Sequence, residues 1–344
     1  MAQPTTPGTP SNHTGLLVKV AQYHYRDRLT KSEIGKRMGL SRFKIARLID
    51  EAIELGIVEI RIHDSHTNID KDLGTQLAAH LKLDTCLVVT AKSGDLKPMA
   101  QQLAPSAAAY MKKHTKPGDI VGFAWGRSVL AMVQELSEMP PFTAVQLTGS
   151  VGSNLSQSPI EVLHRLSRRG SQDLIAIFTP LFVASKEVRD LLKADPSLNE
   201  AFEYYSRLST AVLSVGSWDP PVSQLIPFLT REETETLDRE NTACETAGIF
   251  LNHAGEPVAP GLAARRISIA IAELMDTPKV VALAGGTAKA GALLALAKSG
   301  IITDLVTDSL TAAVLLENEA VDQTVFKRFD TKGNARLLKT FASR

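Results

Sequence analysis

Two cysteines in 344 residues, Cys86 and Cys244, are too few for a disulfide framework, and no paired Cys/His spacing offers a zinc site. The eight histidines are scattered, so no metal and no cofactor is expected. No long hydrophobic run is present: the most apolar stretch, Val280 to Ala297, is broken by Gly285, Gly286 and Lys289 and is too short to span a bilayer. The first fourteen residues, MAQPTTPGTPSNHT, lack the basic-then-apolar order of a secretory signal and read as a disordered tail. There is no internal repeat. Together these absences point to a reduced, cytoplasmic protein with no membrane role.

Net charge is +1, which means little until it is divided. Residues 1 to 63 hold ten Lys/Arg against six Asp/Glu, a net +4, and the remainder holds 28 against 31, a net −3. The basic excess coincides with the most strongly punctuated part of the chain, Thr30 to Ile62. Thr30 and Glu33 have the spacing of a capping box, in which hydroxyl and carboxylate each satisfy an orphan helix-end amide. Gly39 stands where a tight turn needs positive φ, and Ser41 is placed to cap a second helix that runs to Leu55 and stops at Gly56. A helix over Leu16 to Arg26 completes a three-helix core, and Ile57 to Ile62 alternates apolar and polar as a wing strand does. The expectation is a winged helix-turn-helix over residues 15 to 63, hence a DNA-binding domain.

At about 100° per residue, Ile45, Leu48, Ile49 and Ala52 share the buried face of the second helix. The opposite face presents Phe43, Ala46, Arg47 and Asp50. Arg47 is the expected base reader, most suited to a bidentate contact with guanine. Arg42 and Lys44, beside the Ser41 cap, suit phosphates. Phe43 either touches thymine methyls or folds back on the domain.

From Asp64 to Leu83 the pattern is helical, with Ile69, Leu73, Leu77 and Leu81 four residues apart; a linker helix that meets a partner subunit and a helix packed on its own domain fit equally well. Apolar strands are then expected at 85–90, 120–124, 143–147, 174–178, 210–215 and 279–284, with helices between several of them at 97–113, 127–137 and 159–168. Such alternation indicates an α/β domain with a mainly parallel sheet over residues 64 to 344.

Two strand–glycine–helix turns in this domain have the form of anion sites, where backbone amides and the helix dipole favour negative charge. The first is Gly126-Arg127-Ser128, in which Arg127 adds a forked donor pair. The second is Gly285-Gly286-Thr287-Ala288-Lys289, which brings Lys289 close to the carboxyl end of a strand, the edge where open α/β sheets bind ligands. Neither turn is a Walker A loop or a dinucleotide fingerprint. Thr148-Gly149-Ser150 and Gly216-Ser217 each follow a strand and offer hydroxyls and amides, although turn chemistry alone accounts for them too. Glu245 is either a sugar-hydroxyl acceptor or a solvated loop carboxylate. Asp304 and Asp308 are expected to cap helices. No catalytic residue is assigned, because Asp119, Glu245 and Asp304 are isolated in sequence and none has a placed partner.

From about Leu16 to Leu316 the chain resembles the SorC family, also called SorC/DeoR, of sugar-responsive bacterial transcriptional regulators. The resemblance rests on LSRFKIARLIDEAIELGIVEIRI, VGFAWGRSVL and VVALAGGTAKAGALLALAKSGIITDLVTDSLTA. It implies an N-terminal winged helix-turn-helix followed by a Rossmann-type effector domain related in fold to phosphosugar isomerases and deaminases. It implies a homo-tetramer or dimer, acting most often as a repressor on a palindromic operator and controlled by a small sugar phosphate. Gly126, Arg127, Ser128 and Lys289 match the family's effector-binding positions, as do Gly216, Ser217 and Glu245. The chain departs from the family at Phe43-Lys44-Ile45-Ala46, where Pro-Thr-Val-Ser is frequent, at Ser128, where threonine is frequent, and at Trp218-Asp219-Pro220-Pro221. Two alternatives stand beside this reading: a sugar-phosphate isomerase or deaminase with an attached DNA-binding domain, and a regulator that senses an unphosphorylated sugar or polyol.

Overall fold

The structure, a computed structural model, describes residues 11–58, 69–91, 98–152, 158–169 and 171–326. The chain divides into two compact units, Met1–His66 and Thr67–Arg344.

The first unit contains α1 (Ser11–Ala21), a π turn over Gln22–Arg26, α2 (Lys31–Met38) and α3 (Arg42–Glu54). Helix α1 starts at Ser11, so residues 11–14, expected in the tail, are helical instead. Both halves of the capping box form: Thr30 Oγ1 accepts from the Glu33 amide, and the Glu33 carboxylate accepts from the Thr30 amide at 2.8 Å. Gly39 ends α2 at φ +67°, and Ser41 Oγ caps α3 by accepting from the Lys44 amide. Leu17, Val20, Ile34, Ile45, Leu48, Ile49 and Ala52 form the core between the three helices. Ile57 and Val58 pack on that core; of the expected wing strand, residues 59–62 lie outside the described residues. Thr30→Ala should destabilise α2 by about 1 kcal/mol. Faster amide exchange along α2 is the expected result, and exchange at the wild-type rate would deny the cap its role.

The second unit opens with α4 (Lys71–Leu81), β1 (Thr85–Val89), α5 (Met99–His114), β2 (Ile120–Phe123) and α6 (Arg127–Glu135). Next come β3 (Phe142–Gln146), α7 (Pro159–Leu166), β4 (Ser171–Ile175), α8 (Lys186–Ala194), α9 (Pro196–Glu203) and β5 (Thr210–Ser214). A small insertion carries β6 (Gly216–Ser217), α10 (Arg231–Arg239), β7 (Thr242–Thr246) and β8 (Ile249–Asn252). The chain then forms α11 (Pro260–Ala264), α12 (Ile271–Asp276), β9 (Lys279–Leu283), α13 (Ala290–Ser299), β10 (Asp304–Asp308) and α14 (Ser309–Leu316).

Seven parallel strands form one sheet in the order β1-β10-β9-β5-β2-β3-β4, and β6-β7-β8 form a separate antiparallel sheet. Strand side chains alternate between two apolar layers: Val280 and Ala282 of β9 enter one cluster, Val281 and Leu283 the other. Helices α5, α6 and α7 cover one face, and α4, α13 and α14 cover the other. From β2 the chain winds outward through β3 to β4, and from β5 it winds the opposite way through β9 to β10. The winding therefore reverses between β2 and β5, and the crevice at the carboxyl ends of those two neighbours is where such sheets bind ligands.

The structure corrects three local expectations. Helix α4 begins at Lys71, capped by Asp70, while Ile69 sits outside it in a bridge to Val89; Leu77 and Leu81 are buried within the unit's own core. Strands β6, β7, β8 and β10 add to the six that the apolar runs predict, and β4 lies at Ser171–Ile175, three residues ahead of the expected 174–178. Asp308 does cap a helix, α14, but Asp304 begins strand β10. Its carboxylate is buried there, taking bonds from Tyr110 Oη, Thr303 Oγ1 and, at 3.2 Å, Lys279 Nζ.

Candidate functional site

The crevice at the reversal point is lined by Trp125, Gly126 and Arg127 after β2, by Ser214, Val215 and Gly216 at the end of β5, and by Val222 and Gln224. Glu245, Ala247 and Lys289 complete the lining. About 370 Å3 of space not filled by atoms lies in the crevice, part of it open to solvent.

Gly126 lies between β2 and α6 at φ +135°, and a Cβ there would collide with the side chain of Ser214. Both constraints demand glycine, and they bring the start of α6 against the end of β5. Arg127, the first residue of α6, is exposed and donates to the Val222 carbonyl at 3.3 Å. Lys289 sits in a single 3-10 turn, Thr287–Lys289, immediately before α13, and its Nζ donates to the Val215 carbonyl at 2.7 Å. Burial, with the neighbouring Arg127 charge, lowers the Lys289 pKa to about 8. Two cations thus converge on one crevice, and Nζ rests on a neutral acceptor.

Glu245 lies in β7 opposite Gly216. Burial raises its pKa, against hydrogen bonds that favour the ionised form. Those bonds are Gly248 N to Oε1 at 2.9 Å and Ser223 Oγ to Oε2 at 3.1 Å. A Cβ on Gly216 would fall 2.9 Å from Oε2, so the carboxylate reaches the crevice only past a residue without a side chain. The solvated-loop reading of Glu245 is thereby replaced: the group is buried. Arg266 braces the same corner by donating to the Gly248 carbonyl at 3.2 Å.

Of the expected effector residues, Gly126, Arg127, Gly216, Glu245 and Lys289 come together here. Ser128 does not line the crevice; it is buried on α6. Ser217 is fully buried and donates to the Asp219 carbonyl. Thr148, Gly149 and Ser150 also lie outside the lining. Thr148 bridges to Ser268, the Gly149 amide donates to the Ile267 carbonyl, and Ser150 bridges to Pro180, so backbone pairing occupies that turn. Trp218 turns away to Asp238, donating from Nε1 at 2.7 Å. The segment Val222-Ser223-Gln224 escapes sequence reasoning. Its only signal is position, directly after the departure at Trp218–Pro221.

On α3, Ile45, Leu48, Ile49 and Ala52 are buried, and Ser41, Arg42, Phe43, Lys44 and Arg47 are exposed. Phe43 is 68% exposed, so it does not fold back; its ring lies 4.8 Å from the Arg42 guanidinium carbon. Among the described residues there is no cluster of metal-ligating side chains, and no helix is long and apolar enough to cross a membrane.

Known proteins resemble the chain over most of its length. The erythritol catabolism regulatory protein EryD of Brucella abortus (strain 2308) is 29% identical over 310 residues, covering 88% of this chain and 96% of that protein. The transcriptional regulator LsrR of Enterobacter sp. (strain 638) is 28% identical over 308 residues, covering 88% and 92%. The crystal structure of the full-length sorbitol operon regulator SorC from Klebsiella pneumoniae matches with a TM-score of 0.66 at 24% identity. That match covers 88% of this chain and 98% of the other, and it is a likeness of fold. The class is accordingly a transcriptional regulator and not an enzyme. A family profile described as "Putative sugar-binding domain" matches residues 65–317, and the chain belongs to that family, with SorC-type regulators as its relatives.

Proposed function

We propose that the protein is a cytoplasmic repressor of carbohydrate-metabolism genes whose grip on operator DNA is set by a small phosphorylated sugar. One observation carries the effector half of this reading: Arg127 and Lys289 converge at the reversal crevice, with Lys289 left on a neutral carbonyl and its pKa lowered to about 8. A phosphate seated between them would replace the two carbonyl contacts with charge-assisted bonds. Glu245, aimed into the same crevice, would take a sugar hydroxyl. The names of the relatives, which refer to erythritol catabolism and a sorbitol operon, agree with a polyol or sugar derivative.

The DNA half rests on α3 as the reading helix of a winged helix-turn-helix. Arg47 would read a base, Arg42 and Lys44 would hold phosphates, and Ser41 would fix the helix start. The exposed Phe43 ring would contact the groove. A homo-dimer or tetramer would read a palindromic operator, since two-fold protein symmetry is mirrored in half-sites.

The test is a thermal-shift screen against sugars, polyols and their phosphates. A specific ligand at about a hundred times its dissociation constant stabilises by about 2.7 kcal/mol. Stabilisation by one or a few sugar phosphates, and not by the parent sugars, is the expected result. Stabilisation by an unphosphorylated polyol alone would contradict the phosphate assignment.

A further inference from the structure

We infer that Asp308 is a positioning residue that ties the Lys289 turn to the point where the chain enters the second unit, and so carries the effector signal to the segment leading from the first unit. The inference rests on the reading of the Lys289 turn as the effector turn.

Asp308 is fully buried at the end of β10, and each of its carboxylate oxygens serves two donors. Oδ2 accepts from the Gly286 amide at 2.7 Å and from Thr311 Oγ1 at 2.6 Å. Oδ1 accepts from the amides of Leu310 at 3.1 Å and Thr311 at 2.9 Å. One carboxylate therefore holds both the glycine turn that leads to Lys289 and the start of α14. The fit is close, since a Cβ on Gly285 would fall 2.6 Å from Oδ2.

The other side of Asp308 faces the entry of the chain into the unit. In the sheet register Asp308 is paired with Val89 of β1. Val89 bridges Ile69, and the Asp70 amide donates to the Val88 carbonyl at 2.9 Å. Ser309, next to Asp308, supplies an Oγ that accepts from the Ala91 amide at 3.1 Å. Ile69 and Asp70 are thus fixed to the strand end that Asp308 and Ser309 hold. A shift of the Gly286 turn reaches them through one side chain and one strand pair. A helix cap alone needs only Oδ1; the bond from Gly286 to Oδ2 is what couples the two places.

Asp308→Asn separates these roles. The amide oxygen still caps α14, while an NH2 group replaces Oδ2 and cannot accept from Gly286 N. Amide hydrogen exchange is read on the full chain with inorganic phosphate as probe. A ligand-free arm introduces Lys289→Ala into the wild-type chain and into the Asp308→Asn chain. In the wild-type chain, both perturbations should change exchange several-fold at Gly286–Lys289 and also at Asp70 and Ala91. In Asp308→Asn the change at the turn should persist and the change at Asp70 and Ala91 should vanish. Ser309→Ala, which removes only the hydroxyl, should uncouple Ala91 and serves if the first variant does not fold. An equal response at Asp70 and Ala91 with and without the Asp308 carboxylate, or none at all in the wild-type chain, would overturn the inference. If phosphate leaves the turn unchanged, the anion reading of the crevice fails, and the Lys289→Ala arm still decides the coupling.

Discussion

Lys289→Ala should abolish the effector response while operator binding by the ligand-free protein persists. Removing one partner of a buried, hydrogen-bonded charge pair costs about 2–5 kcal/mol, so effector affinity should fall roughly thirtyfold or more. The variant also leaves the Val215 carbonyl without its lysine donor. Operator titration with and without effector is the measurement, and a normal response by Lys289→Ala would remove the lysine from the site.

The same residue sets a pH dependence. With its pKa lowered to about 8, Lys289 is charged below that pH and neutral above it. A bound anion favours the charged form, so effector affinity is fully present below about pH 8 and is lost as pH rises through that value. The second phosphate ionisation, near pH ~6, is complete by then and does not mask the trend. In Lys289→Ala the alkaline loss should be absent.

The second large effect is expected at Arg47. Its helix presents it on the face opposite Ile45, Leu48, Ile49 and Ala52, where it is exposed. Arg47→Ala should cost about 1–3 kcal/mol in operator affinity and relax preference at one base pair. Arg42→Ala should instead weaken binding across sequences and flatten its salt dependence, as loss of a phosphate contact does. An Arg47→Ala variant with wild-type affinity and wild-type base preference would assign the groove to another face.

These expectations differ in how far the sequence alone could carry them. The helix ends of the first unit were legible because their determinants are local: Thr30 and Glu33 cap each other three residues apart, and Gly39 and Ser41 mark the turn between α2 and α3. The central strands were legible from apolar β-branched runs, since parallel strands covered on both faces need no alternation. Strand β10 was not, because DLVTD begins and ends on carboxylates that suggest caps. Asp304 is tolerated in a buried strand through the adjacent Thr303 hydroxyl and through Tyr110 and Lys279, 194 and 25 residues away. Strand β7 hid for a similar reason, its Glu245 satisfied by Ser223, 22 residues away, and by Gly248 in the turn that follows.

The crevice was half legible. Glycine turns after strands announced Gly126, Arg127, Gly216 and Lys289; at Gly126 a positive φ and the Ser214 side chain leave no place for a Cβ. The same signal at Thr148-Gly149-Ser150 falls outside this crevice, and the close approach at Gly149 is to the Pro180 backbone. Val222 and Gln224 reach the crevice through a loop whose path follows from tertiary packing.

The proposed switch joins the Arg127–Lys289 crevice to operator binding. The most direct measurement is the affinity for the stabilising sugar phosphate, taken with and without saturating operator DNA. Linkage requires that operator change effector affinity by the same factor by which effector changes operator affinity. Two matching factors, each about five- to 150-fold, are expected. Equal effector affinity in the presence and absence of operator would contradict the switch.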